Sequence, residues 1–193
     1  MRRGLVVALV GIAGLVLLAI VVVGWLPGPR APLPTASQPG SLVAGIATPR
    51  PAALPNPKRT PGSVNPAATQ DNLDATVCKS GWASSVRPPA AYTNALKPVQ
   101  IAQHGYADRN PRDYQEDHLV PLELGGAPRD PANLWPEPNV ATLPDGTPVG
   151  SRQKDDLEDF LHQQVCMGAM RLVDAQRAMA TDWIAAWEAA GRP

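Results

Sequence analysis

Carboxylates are missing from the first third of this 193-residue chain: all 17 Asp and Glu lie from Asp71 onward, while six Lys and Arg precede it. Prolines crowd the same region, with 11 of 23 falling between Pro27 and Pro66. So uneven a distribution excludes a single globular domain over the whole length. Aromatics are scarce, at one Phe, three Tyr and five Trp, so the core must be small. Only Cys78 and Cys166 occur, with no Cys-x-x-Cys pair, which argues against a finger-type structural zinc. Excess positive charge is lacking too. From residue 71 to 193, 11 basic side chains face 17 acidic ones, a balance of −6 that excludes a histone-like nucleic-acid binder.

What is present divides into three parts. Residues 1–26 hold an apolar run from Leu5 to Leu26 behind Arg2 and Arg3. As a helix of about 1.5 Å per residue, that run would be roughly 33 Å long, enough for a bilayer's hydrocarbon core. The leading arginines predict a cytoplasmic N-terminus and an extracytoplasmic remainder, with the helix as a single-pass membrane contact. The alternative is a cleaved signal peptide and a secreted product. Against it, the run is longer than a signal core and ends in Trp-Leu-Pro-Gly-Pro without a small-residue cleavage pattern. Residues 27–70, rich in Pro, Ala, Ser, Thr and Gly, read as a disordered, semi-stiff tether. Residues 71–193 are the expected folded domain.

In an exported domain, Cys78 and Cys166 are most simply one disulfide. The pattern of the domain predicts a short helix near Tyr92 to Gln103, then a strand, a glycine loop and a second strand between Tyr114 and Pro138. Two helices should follow. In the first, Leu157, Phe160, Leu161 and Val165 share one face, Ser151 caps the start and Gly168 ends it. In the second, Ala175, Ala178, Met179, Trp183, Ala186 and Trp187 line one side, and Gly191 terminates it. The expected class is therefore α+β, with a small hairpin core and additional C-terminal helices.

The polar residues concentrate in Glu116-Asp117-His118, followed by Pro121-Leu122, Gly125-Gly126 and Asn133-Leu134-Trp135-Pro136. Adjacent Asp and His point to opposite faces of a regular strand, so they serve one site only where the strand ends or bulges. A carboxylate suits a hard divalent ion, and a neutral imidazole can take a proton from water. Hydrolysis of a phosphodiester uses both.

This run, DHLVPLELGG followed by NLWPEP, resembles the HNH endonuclease family, and within it short exported bacterial proteins with a DH…PL…GG…NLWP core. The resemblance extends to Lys154-Asp155, Glu158, Val165-Cys166, Ala175-Gln176 and Asp182-Trp183, covering roughly residues 76–187. It implies a ββα-metal core and metal-dependent hydrolysis of DNA or RNA. One divalent ion (Mg²⁺, Mn²⁺ or Zn²⁺) would be held by Asp117, His118 would be the general base, and Asn133 would fix the orientation of its ring. The family's usual helix ligand falls here on Ala141 or Thr142, which are poor ligands. A replacement would come from Asn139, Asp155, Glu158 or His162, with Glu158 preferred as the second metal ligand. Arg109 and Arg112 can hold a substrate phosphate or pair with Asp108 and Asp113. The departure at the helix ligand leaves a second reading: a catalytically inactive module on the same scaffold, binding a cell-surface polymer or a protein partner.

Overall fold

The structure is a computed structural model that describes residues 53–193. The anchor expected over residues 1–26, and the tether as far as residue 52, lie outside the described residues. No helix among the described residues is long and apolar enough to cross a membrane. The described part is mixed α+β, with two small antiparallel sheets and four helices.

Helix α1 (Trp82–Val86) is a single short turn, followed by α2 (Ala90–His104). Strand β1 (Tyr114–His118) then pairs antiparallel with β2 (Leu134–Pro138), placing Asp117 opposite Trp135 and His118 opposite Leu134. After β2 comes a second, minimal hairpin of β3 (Ala141–Thr142) and β4 (Pro148–Val149). Next come α3 (Ser151–Cys166) and α4 (Leu172–Ala189).

Alternation along the main hairpin sends Gln115, Asp117, Trp135 and Glu137 to one face, and Tyr114, Glu116 and His118 to the other. Helix α3 reaches the first face through Lys154. The second face is served by α2, whose Lys97 donates to the carbonyls of Tyr114 and Pro111 at 2.8 and 3.2 Å. Leu157, Leu161 and Val165 of α3 join Ala175, Met179, Trp183 and Trp187 of α4 and Trp135 of β2 in one apolar cluster.

Two local expectations are corrected. Ser151 is the first residue of α3 and caps nothing with its side chain; Gly150 precedes it as the cap. Helix α4 departs from helical geometry at Asp182, whose Oδ1 accepts the Ala185 N–H at 3.0 Å and so caps the last turns. Gly168 does end α3: it adopts φ 75°, and its N–H bonds Val165 at 3.0 Å.

The tether boundary also moves, because residues 53–70 are packed on the domain. Ala53, Leu54, Thr60 and Ala68 are buried, and the Ala53 carbonyl accepts the Trp183 indole N–H at 2.9 Å. Backbone bonds from Gly62 to Ala132 and from Asn65 to Gly125 tie the segment to the glycine loop. Composition alone reads this stretch as part of a disordered tether. The segment is indeed without long elements, but its small side chains fit against the core.

Cys78 and Cys166 form the expected disulfide, joining positions 88 residues apart. On the chain-entropy account, opening so long a loop should lower the unfolding free energy by about 4–5 kcal/mol. Urea unfolding of the full-length chain, oxidised against reduced, should show this as a lower midpoint after reduction.

Candidate functional site at the end of the hairpin

Strand β1 ends at His118, and the chain turns into Leu119-Val120-Pro121 and a 3-10 turn at Leu122–Leu124. Asn133 closes this turn from the start of β2. Its Oδ1 accepts the Val120 N–H at 2.9 Å, and its Nδ2 donates to the carbonyls of Val120 at 2.9 Å and Ala127 at 3.2 Å. The Asn133 carbonyl accepts the Leu119 N–H at 2.8 Å. Gly126 lets the loop come this close. A Cβ there would lie 1.8 Å from the Val120 carbonyl oxygen and 2.7 Å from Asn133 Nδ2. The glycine pair is thus a close-packed turn, and Asn133 holds the loop that carries the His118 partner.

That partner is the Pro128 carbonyl, 3.0 Å from His118 Nε2. A carbonyl only accepts, so the hydrogen belongs on Nε2 and the neutral ring keeps its lone pair on Nδ1. Burial lowers the His118 pKa below its ordinary value, against the opposing pulls of the Pro128 bond and Asp117, and the charges of Arg87 and Lys154 lower it further. His118 is therefore a neutral base at neutral pH, although the residue is only 4% exposed.

Asp117 and Glu158, the two expected metal ligands, are brought together, and Lys154 stands between them. Its Nζ lies 2.5 Å from Asp117 Oδ2 and 2.9 Å from the His118 carbonyl, and it also bonds Glu158 Oε1. An ammonium has three N–H donors, and all three are used. Burial alone would raise the Asp117 pKa, but the Lys154 charge and hydrogen bond overcome it and hold Asp117 ionised. Lys154 is likewise held charged: burial pulls its pKa down, and Asp117, Glu158 and Glu137 push it well above the ordinary value. Burial raises Glu158 to about 8 despite Lys154. Glu137 is raised well above its ordinary value by burial, and Glu116 to about 8 by the same cause. The Glu116 carboxyl is without a hydrogen-bond partner. Lys154 thus pairs with both Asp117 and Glu158 on the face of the hairpin that also carries Glu137.

The oxygen donors suit a hard divalent ion in chemical type. Their arrangement does not fit one, because the point shared by Asp117 and Glu158 is filled by the Lys154 nitrogen.

The remaining expected residues lie elsewhere. Arg109 bonds the Tyr106 carbonyl and Arg112 sits in the turn before Tyr114, at the far end of a five-residue strand from His118. That strand is roughly 14 Å long, beyond an arginine's reach. Among the described residues, neither arginine pairs with Asp108 or Asp113. Arg87, at the end of α1, was not singled out from the sequence. It is exposed, and its charge adds to the lowering of the His118 pKa and slightly opposes the rise that burial imposes on Glu123. No motif marks it; only the packing of α1 against the turn after His118 brings it near.

His162 bonds the Val77 carbonyl at 2.8 Å. A ring nitrogen of His162 and the sulfurs of Cys78 and Cys166 all lie within 4.8 Å of one another, a grouping that could hold a metal ion. Joined as a disulfide, the two sulfurs offer no thiolate, and the thiolate is the ligand. No protein-family model, curated protein or solved structure matches the chain.

Two outcomes follow from this geometry. Asn133→Ala breaks three bonds to one loop, two of them buried, and should cost about 2–4 kcal/mol in a urea titration. An NMR titration of the His118 ring should give a midpoint below the ordinary 6.5. Because the folded value is depressed, the His118 contribution to stability is full above 6.5 and declines as pH falls towards the folded midpoint.

Proposed function

We propose that this chain hydrolyses phosphodiester bonds of DNA or RNA outside the cell membrane, on an HNH-like scaffold, with His118 as the general base. The observation that carries the reading is the held, neutral imidazole at a strand end, with its Nε2–H on Pro128 and its Nδ1 lone pair free to take a proton from water. His118 Nδ1 would receive that proton as the water oxygen bonds to phosphorus and one ester P–O bond breaks, the departing alkoxide taking a proton from solvent. Arg87 supplies positive charge beside the ring for the phosphate. Lys154 and Asp117 fix the backbone at His118 without touching substrate. The resemblance of residues 117–136 to the HNH core, and a hairpin followed by a helix, support the same reading. The disulfide supports an oxidising compartment, in line with an exported domain.

A second reading has its own observation. With His118 only 4% exposed and Lys154 in the place of a cation, the scaffold also suits a non-catalytic module binding a surface polymer or protein.

Full-length chain incubated with plasmid DNA and with RNA, with and without Mg²⁺, Mn²⁺ or Zn²⁺, separates the two. Cleavage that falls by about 10²-fold or more in His118→Ala is expected for a general base. Equal inertness of folded wild type and folded variant under all these conditions would leave the binding module.

A further inference from the structure

We propose that Lys154 is the resident cation of the carboxylate pocket and that it keeps divalent ions away from Asp117 and Glu158. The proposal deepens the hydrolase reading, and on that reading the reaction proceeds without added metal. Three observations carry it.

First, the ammonium is saturated. Asp117 Oδ2, Glu158 Oε1 and the His118 carbonyl take its three hydrogens, so no donor is left to be satisfied by moving elsewhere. Second, its side chain is 0% exposed. Vacating the pocket would mean carrying a charge through packed surroundings and leaving the Asp117 carboxylate without its partner. Third, an ion coordinated by Asp117 Oδ2 and Glu158 Oε1 sits about 2.0–2.6 Å from each oxygen. Nζ already stands at that point, between the same two atoms. A divalent ion and the ammonium are therefore alternatives, and the fold supplies the ammonium.

Lys154 is a positioning residue under this proposal. It fixes Asp117 and the backbone of His118 and has no free hydrogen for a phosphate. Glu137 marks what the site would become without it. Its carboxyl is fully buried and lies within the field of Lys154. Replacing the ammonium with an apolar group of similar length leaves Asp117, Glu158 and Glu137 as three carboxyl groups around one vacated position, a donor set suited to Mn²⁺ or Mg²⁺.

The test is binding of Mn²⁺ alone, followed by electron paramagnetic resonance of the free ion, on the full-length wild-type chain, Lys154→Met and Lys154→Met with Asp117→Asn. Wild type should leave millimolar Mn²⁺ unbound at this pocket. Lys154→Met should bind it at least about tenfold more tightly, and the second substitution should abolish the gain, because a like charge has been removed from the pocket in one case and a ligand in the other. Stoichiometric Mn²⁺ binding by wild type that is lost in Asp117→Asn would overturn the proposal, and so would a folded Lys154→Met that binds no better than wild type. Should Lys154→Met fail to fold, wild type still decides: its unfolding temperature must be unmoved by millimolar Mn²⁺, and a rise that vanishes in Asp117→Asn would refute the proposal. Chelator separates this proposal from the hydrolase reading. His118-dependent cleavage that survives EDTA supports both. Cleavage abolished by EDTA and restored by Mn²⁺ keeps the hydrolase and discards the resident lysine. Absence of all cleavage removes the hydrolase and leaves the Mn²⁺ titration to judge Lys154.

Discussion

The buried ion pair between Lys154 and Asp117 is the constraint on which the hairpin, the third helix and the candidate base all depend. It spans 37 positions of sequence and ties the fourth residue of α3 to the end of β1. A lone buried charge of either sign would be intolerable in so small a domain, so neither partner can move without the other. The third ammonium hydrogen goes to the His118 carbonyl, which places the base in the same clamp. Such a pair adds little net stability compared with apolar residues of the same volume, but it permits only one placement of α3 against the hairpin. Specificity of geometry, more than free energy, is what this interaction contributes.

Around the clamp, three other devices fix the turn that follows His118. Asn133 replaces missing backbone partners in the loop by bonding both polar groups of Val120. Gly126 admits the loop to within a distance that no side chain allows. The disulfide ties α3, at its last residue Cys166, to the segment before α1, so the helix that carries Lys154 is fixed at both ends. Arg87 enters the site by the same route, since α1 follows Cys78 by only a few residues and packs on the turn at Leu122–Leu124. The scarcity of aromatics explains why so much depends on polar devices. Trp135, Trp183 and Trp187 are the large buried anchors of the described core, and two of them leave their indole N–H without a partner.

Much of this arrangement was legible in the residues. The 3.6-residue spacing of Leu157, Leu161 and Val165, and of Ala175, Met179 and Trp183, marked the two helices, because an amphipathic face is a local property of the chain. The hairpin was legible from β-forming runs around a glycine pair, and the disulfide from having only two cysteines. What escaped depends on contacts distant in sequence. Residues 53–69 carry tether-like composition, and only the fit of Ala53, Leu54 and Ala68 against the core makes them part of the fold. Lys154 lies in the first turns of a helix, where lysine is ordinarily solvated. No spacing rule announces that Asp117 will meet it. Arg109 and Arg112 attracted notice by proximity in sequence to the hairpin, yet a strand only five residues long is enough to separate them from His118.

The electrostatics of the pocket bear on what the domain can attract. Its carboxyl groups do not present a field of three full negative charges, because burial raises the pKa of Glu137 well above its ordinary value and that of Glu158 to about 8. Asp117 alone is firmly ionised, and Lys154 cancels it. The −6 balance of residues 71–193 is therefore carried largely by acids outside the pocket. His118 itself feels the exposed charge of Arg87. Long-range attraction to nucleic acid stays weak under such a balance, since few counterions are released on contact. On the proposed hydrolase reading, recognition has to be local, at the end of the hairpin, where the Arg87 charge, a neutral imidazole and a loop clasped by Asn133 come together.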